Sequence, residues 1–381
     1  MDVFKSIILF IPLAIITFFA VVLTLLQGQI QYIPLIIAVP TVTYLLATFL
    51  LLKFFKTKRR ILAFSIIAGA ALIVTAIVPI RESYKQSMPT VSAEIDVYQY
   101  EPFRNLDSLA KLDHPATLKI QEPVPKLDGA TALYPLYASF TEALYPKKEY
   151  YPTDSDVMVN TTPEAYNNLL NGSVDVIFAA GPSDGQKKTA QRLKKEMQMT
   201  PIGKEAFVFF VNSNNPVDSL TVQQIQDIYA GKITNWKEVD GNNETIRAFQ
   251  RPADSGSQTA LERFMGDVPI MKAPEENVPE GMGGIIKEVS TYRNYTNAIG
   301  FSFRYYSMEM VGNDQIKLIQ VEDIAPTKET IRSGEYPISS EFYAVTAGTK
   351  NPNVQPLIDW IVSDEGQELV EKTGYVSLDE H

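Results

Sequence analysis

The 381-residue chain contains no cysteine, so it has no disulfide, no thiolate metal site and no cysteine nucleophile. Histidine is nearly missing as well, with only His114 and the final His381. Zinc centres and histidine-dependent hydrolysis therefore have almost nothing to build on. Positive charge is not in excess either: the formal net charge of −10 argues against nucleic acid as a partner. No internal repeat and no low-complexity tract interrupts the chain. Nothing in this composition calls for a metal or a resident cofactor.

What the chain does have is three long apolar runs at its start, "SIILFIPLAIITFFAVVLTLL", "YIPLIIAVPTVTYLLATFLLL" and "ILAFSIIAGAALIVTAIVPI". Each approaches the roughly 20 residues a helix needs to cross a bilayer, and none carries a charge. One such run could be a cleaved leader, but three in succession cannot all be. Residues 1–80 are expected to form a membrane domain of three transmembrane helices. The first link, "QGQIQ", is uncharged, whereas the second, "KFFKTKRR", holds five basic groups and no acid. The positive-inside rule puts that second link and the Lys5 end in the cytoplasm. Everything after about Arg81 is then extracellular. That remainder holds 28 basic against 43 acidic groups, a net of −15.

Residues 81–117 read as a stalk and linker, with a strand in "AEIDVYQYEPF" and a short helix in "LDSLAKLD". Beyond them, strand-like and helix-like runs alternate. The strand candidates include "TLKI", "VDVIFAAG", "EAFVFFVN", "NAIGFSF" and "EFYAVTA". The helix candidates include "TALYPLYASFTEALY", "PEAYNNLLNG", "SQTALERFMG", "GMGGIIKEVSTYRN" and "NVQPLIDWIVSDEGQELVEKTG". Alternation of this kind argues an α/β architecture. Roughly 265 residues exceed what one small sheet holds, so two lobes are expected.

Three helix starts stand out. A helix N-terminus leaves its first backbone N–H groups unpaired and carries partial positive charge, which makes it a ready anion site. In "RPADSGSQTALERF", Ser255 is placed to cap a helix, Gly256 lets the backbone approach a ligand, and Arg251 stands four residues upstream. In "LDGATALYPLY" the helix begins at Thr131, with Pro135 in its first turn. In "VNTTPEAYNNLL", Thr162 reads as the cap and Pro163 as the first helical residue. Each start could simply cap its own helix, and Arg251 could pair structurally with Asp254. Arg251 can equally reach over the helix mouth and hold a tetrahedral oxyanion through two donors. Distant surface acids do not forbid this, since screening acts beyond about 8 Å at physiological salt.

In order along the chain, "LDGATALYPLY", "VDVIFAAGPS", "LTVQQIQDIYAGKITNW", "RPADSGSQT", "NAIGFSF" and "TGYVSL" resemble the phosphate-binding proteins of Pst-type ABC uptake systems. The resemblance spans residues 118–381 and suggests a membrane-tethered branch. It implies a two-lobe periplasmic-binding-protein type II fold with a two-stranded hinge. The first lobe would take 118–213 and 337–381, the second 214–336. It also implies anion contacts from Thr131, Ala132, Thr162, Arg251, Ser255, Gly256 and Ser257, several of them through main-chain N–H groups. The implied partners are inorganic phosphate or a related oxyanion and ABC permease subunits, with no enzymatic activity. One position departs: the family's acceptor aspartate falls on Ala180 or Gly181, and Ser183 and Asp184 lie too far along the turn to replace it. Phosphate selectivity is in question there, because an unmatched polar hydrogen costs about 1–3 kcal/mol.

Two other functions compete. Three spans are more than a tether needs, which suits an oxyanion sensor signalling through its helices. A secreted serine hydrolase using Ser255 or Ser257 would need His114 as its base, and "DSGSQ" lacks the nucleophile-elbow pattern. The glycine run "GMGGII" lacks both the Lys-Ser/Thr of a phosphate loop and the spacing of a dinucleotide turn.

Overall fold

The computed structural model describes residues 2–87, 90–91, 96–104, 107–272, 292–310 and 314–378. It divides into two units, residues 1–89 and 90–381.

In the first unit, helices α1 (Asp2–Leu26), α2 (Ile33–Leu51) and α3 (Lys58–Ser87) follow the three apolar runs. All three are long and apolar enough to cross a membrane. Five of their threonines are satisfied within the helix: Thr17, Thr24, Thr41, Thr43 and Thr75 each donate to the carbonyl four residues back. That is the arrangement an apolar solvent demands of a polar side chain. At one end of the bundle, Phe49, Phe54, Phe55 and Phe64 form a ring cluster.

The second unit departs first from expectation at the stalk. Val97–Tyr100 form a 3₁₀ turn rather than a strand, because Asp96 accepts the Tyr98 N–H and tightens the chain. Residues 107–112 form no helix, and Leu109 instead buries itself in the neighbouring core. Residues 93–95, like residues 281–291 of the "GMGGII" segment, lie outside those described. "TLKI" runs extended but pairs with no strand; the Ile120 N–H donates to the Leu144 carbonyl.

The sheet is built on strands β2 (Leu127–Gly129), β3 (Val176–Ala179), β4 (Gln198–Asn212), β6 (Arg247–Ala248), β8 (Ala298–Phe303), β9 (Ile316–Leu318) and β11 (Ser339–Thr346). Its order is β2-β3-β11-β4-β8-β6, with β9 also pairing to β4. Shorter pairs join β1 (Thr90–Val91) to β7 (Tyr292–Arg293) and β5 (Ser219–Leu220) to β10 (Gln320–Val321). Strand β4 is the shared element. Its first half pairs antiparallel with β11, and its second half, from Phe207, pairs with β8 and β9. At 15 residues it reaches roughly 50 Å, long enough to serve two separate cores.

Those cores lie at its two ends. One gathers Tyr134, Tyr137 and Phe140 of α4 (Tyr134–Leu144), Phe178 of β3, and Trp360, Leu369 and Val370 of α10 (Val354–Ile361) and α11 (Asp364–Thr373). Tyr137 stacks on Phe178 at 4.9 Å. The other gathers Phe207 and Phe209 of β4, Tyr229 of α7 (Val222–Tyr229), Trp236, Leu261 of α8 (Gly256–Met265) and Phe301. Helices α5 (Thr162–Asn171) and α6 (Asp184–Arg192) cover the outer face of β3. Helix α9 (Lys328–Arg332) leads into β11. Tyr305 is buried against Tyr375 at 4.4 Å.

Candidate anion-binding site

Three helix starts reach one cavity, each by a different local device. The first follows β2. Gly129 sits so close to its neighbours that a Cβ there would meet the Phe178 carbonyl at 2.6 Å and the Tyr137 ring at 3.0 Å. Only glycine lets β2 run beside β3 at that distance and turn into Thr131. Residues Thr131–Leu133 form a 3₁₀ turn leading into α4, whose Pro135 sits in the first turn as the sequence required.

The second start is α5, and here the reading shifts by one residue. Thr161, not Thr162, is the cap: it accepts the Glu164 N–H, and Thr162 is the first helical residue with Pro163 behind it. Either threonine satisfies the cap preference, and the extended backbone at Thr161 (ψ 157°) decides between them. The shift leaves the Thr162 hydroxyl out of capping.

The third start is α8. Ser255 caps it, accepting the Gln258 N–H at 3.3 Å, while the Gln258 side chain accepts the Arg251 N–H at 2.9 Å. Arg251 is thereby tied to the helix it precedes. Asp254 takes a left-handed backbone (φ 63°), which turns the chain sharply into the cap.

The seven candidates converge. Thr131, Ala132, Thr162, Arg251, Ser255, Gly256 and Ser257 all line one cavity of about 160 Å³. A Cβ on Gly256 would stand 3.1 Å from the Thr162 hydroxyl oxygen, so the α5 and α8 starts face each other at contact distance. The first N–H groups of each helix have no partner within it. Together with a guanidinium they form a nest of donors suited to a compact anion. The histidine base named for Ser255 or Ser257 lies elsewhere. His114 lines no part of the cavity and lies against Glu365 and Glu368, at 3.8 and 3.7 Å.

Ala180 also lines the cavity, and it offers only a methyl group there. Its carbonyl accepts from the Tyr166 hydroxyl. Gly181 packs beneath the Arg263 guanidinium. Ser183 and Asp184 are used elsewhere: Ser183 caps α6, and Asp184 is exposed and paired with Lys187.

Several residues of this region carry no mark in the sequence. Asp128 is fully buried beneath the first two starts. It accepts from Gly129 N–H at 2.8 Å, Asn160 Nδ2 at 2.9 Å and Asn168 Nδ2 at 2.8 Å, locking β2 to both ends of the α5 approach. Burial raises its carboxyl above the usual range, and those three donors counteract the rise. The Tyr375 hydroxyl donates to the Ala132 carbonyl and fixes the first start from the C-terminal side. Ser183 Oγ donates to Asp254 Oδ1 at 2.6 Å, and Arg263 Nη2 donates to the Pro182 carbonyl at 2.9 Å. The first bond joins the α6 start to the residue before the α8 cap, and the second joins it to the last turn of α8. Glu205 of β4 also lines the cavity, its carboxylate accepting the Ala206 and Tyr305 N–H groups. Burial pushes it up to about 7, with Arg304 and Lys328 opposing the shift.

Two cores sharing a long strand, with helix mouths meeting in the cleft between them, define a two-lobed binding protein. A family described as a PBP superfamily domain matches residues 123–365, and the chain belongs to it, with the mixed α/β fold of its type II members. Its relatives are narrower in kind. The chain is 23% identical over 265 residues to the phosphate-binding protein PstS of Borreliella burgdorferi, covering 68% of this chain and 91% of that one. It is 26% identical to PstS of Staphylococcus saprophyticus, covering 66% and 80%. Among solved structures, an ABC-type phosphate transport receptor from Vibrio cholerae matches at 21% identity and a TM-score of 0.48, covering 66% and 99%.

Proposed function

We propose that this chain is a membrane-anchored extracellular solute-binding protein that captures inorganic phosphate, or a related tetrahedral oxyanion, and presents it to an ABC permease. The observation that carries the reading is the convergence of Thr131, Thr162, Ser255 and Arg251 on one cavity. The PstS relatives, named for phosphate binding, support it. Lobe I takes residues 118–213 and 337–381, lobe II takes 214–336, and β4 and β11 cross between them as the hinge. Residues 81–117 link this body to the three-helix membrane domain of residues 1–80. Closure brings the α8 start onto those of α4 and α5, and the ligand leaves unchanged.

The test is a thermal-unfolding series on the full chain in detergent with millimolar phosphate and sulfate. A ligand bound only by the native state raises the melting temperature in proportion to RT ln(1 + [L]/Kd). Arg251→Ala is expected to abolish that rise while leaving the ligand-free melting temperature unchanged. Absence of any rise with either anion overturns the reading. The three membrane-length helices favour one alternative, a sensor that signals closure through them. Co-purification of permease subunits with the chain supports delivery over sensing.

A further inference from the structure

The cavity is larger and more apolar than a bare oxyanion requires. At about 160 Å³ it has room for on the order of ten water-sized positions, whereas phosphate has only five heavy atoms. Beyond the helix starts its wall is formed by Leu133, Phe210, Phe249, Ile316, Tyr306 and Phe342. Three of these, Phe210, Phe249 and Ile316, make up a small cluster with Ala298 that is separate from both lobe cores. These residues are largely buried and give only a small remaining surface to the cavity, but with Leu133, Tyr306 and Phe342 they make that part of its wall apolar. It is also continuous with the anion nest, for Phe249 precedes Arg251 by two residues.

Resting on the oxyanion reading above, we infer that the ligand is an organic phosphate or phosphonate whose neutral, apolar substituent occupies this chamber while its charged head sits among the helix starts. Two features of the wall agree. Ala180 supplies no side-chain acceptor, which suits a phosphomonoester: with its second ionisation near pH 6, its head carries no acidic hydrogen at neutral pH. Glu205 and Glu341 line the same cavity and select against a second anionic group on the substituent.

The experiment is isothermal titration of the full chain at pH 8 with inorganic phosphate, methyl phosphate, phenyl phosphate and carboxyphenyl phosphate. Phenyl phosphate is expected to bind at least about tenfold more tightly than methyl phosphate, from burial of the ring. Carboxyphenyl phosphate should lose most of that gain. Phe249→Ala should lower the phenyl-to-methyl affinity ratio several-fold, and Phe249→Leu, which keeps the position apolar, serves if the alanine variant does not fold. Phenyl phosphate binding no better than methyl phosphate, with inorganic phosphate still bound, overturns the organic ligand and leaves the oxyanion reading standing. No heat with any of the four overturns both.

Discussion

Two buried carboxylates do opposite work beside the cavity, and each predicts its own phenotype. Asp128 is an organiser: three donors from β2, the α5 approach and α5 itself point at its oxygens. Asp128→Ala leaves all three without acceptors, and each buried donor so stranded costs about 1–3 kcal/mol. We expect a loss of about 3–5 kcal/mol in denaturant unfolding, with weakened anion affinity because the Thr131 and Thr162 starts lose their common anchor. Glu205 behaves differently. Burial pushes it up to about 7 from an ordinary glutamate value of 4.5, so the native state holds the proton more tightly than the unfolded chain. Stability from this group is complete below about pH 4.5 and declines as pH rises through about 7. The shift amounts to about 3 kcal/mol. Glu205→Gln should remove that decline, so wild type and variant should diverge between pH 5 and 8 in denaturant midpoints. Parallel curves would show that Glu205 does not titrate in this range.

Among the elements, the helix starts were the most legible part of the chain, and the reason is local. Capping depends on residues adjacent in sequence, so Ser255, Pro135 and Pro163 announce α8, α4 and α5 without any tertiary knowledge. The one-residue shift at Thr161 and Thr162 shows the limit of that information, since two neighbouring threonines differ only in backbone conformation. Strand β2 went unread because three residues are too few to show alternation, and its partner β3 lies about 50 residues away. The Asp128 clamp and the Ser183–Asp254 bond join residues 32 to 71 positions apart, and no periodicity marks such pairs. That second bond ties the α6 start to the α8 approach beside the cavity residue Ser255, and Asp254→Gly isolates its contribution. Glycine accepts the left-handed backbone at this position, and the Ser183 cap on α6 stays intact. Loss of this charge-assisted bond between the α6 start and the α8 approach is expected to weaken phosphate affinity about tenfold. Removing a carboxylate near an anion would, by charge alone, strengthen it. Tighter binding in Asp254→Gly would therefore mean that the Ser183–Asp254 bond does not hold the closed form.

For the molecule as a whole, β4 is the feature from which the rest follows. A single 15-residue strand enters both cores, and on the lobe division proposed above the hinge lies where β4 and β11 pair, near Ala206 and Ser339. Closure by hinge bending at element ends needs few residues to change conformation. The proposed membrane domain adds a second constraint, sidedness, which rests on charge in the links rather than on packing. The absence of cysteine makes it directly measurable, because any introduced cysteine is unique. Gln29 lies in the uncharged first link, Lys56 in the basic second link, and Lys188 on α6, and all three are exposed. In intact cells, a membrane-impermeant maleimide is expected to label Gln29→Cys and Lys188→Cys at once, and Lys56→Cys only after permeabilisation. Label on Lys56→Cys in intact cells would invert the orientation and place the anion cavity in the cytoplasm, where an uptake receptor has no ligand to collect.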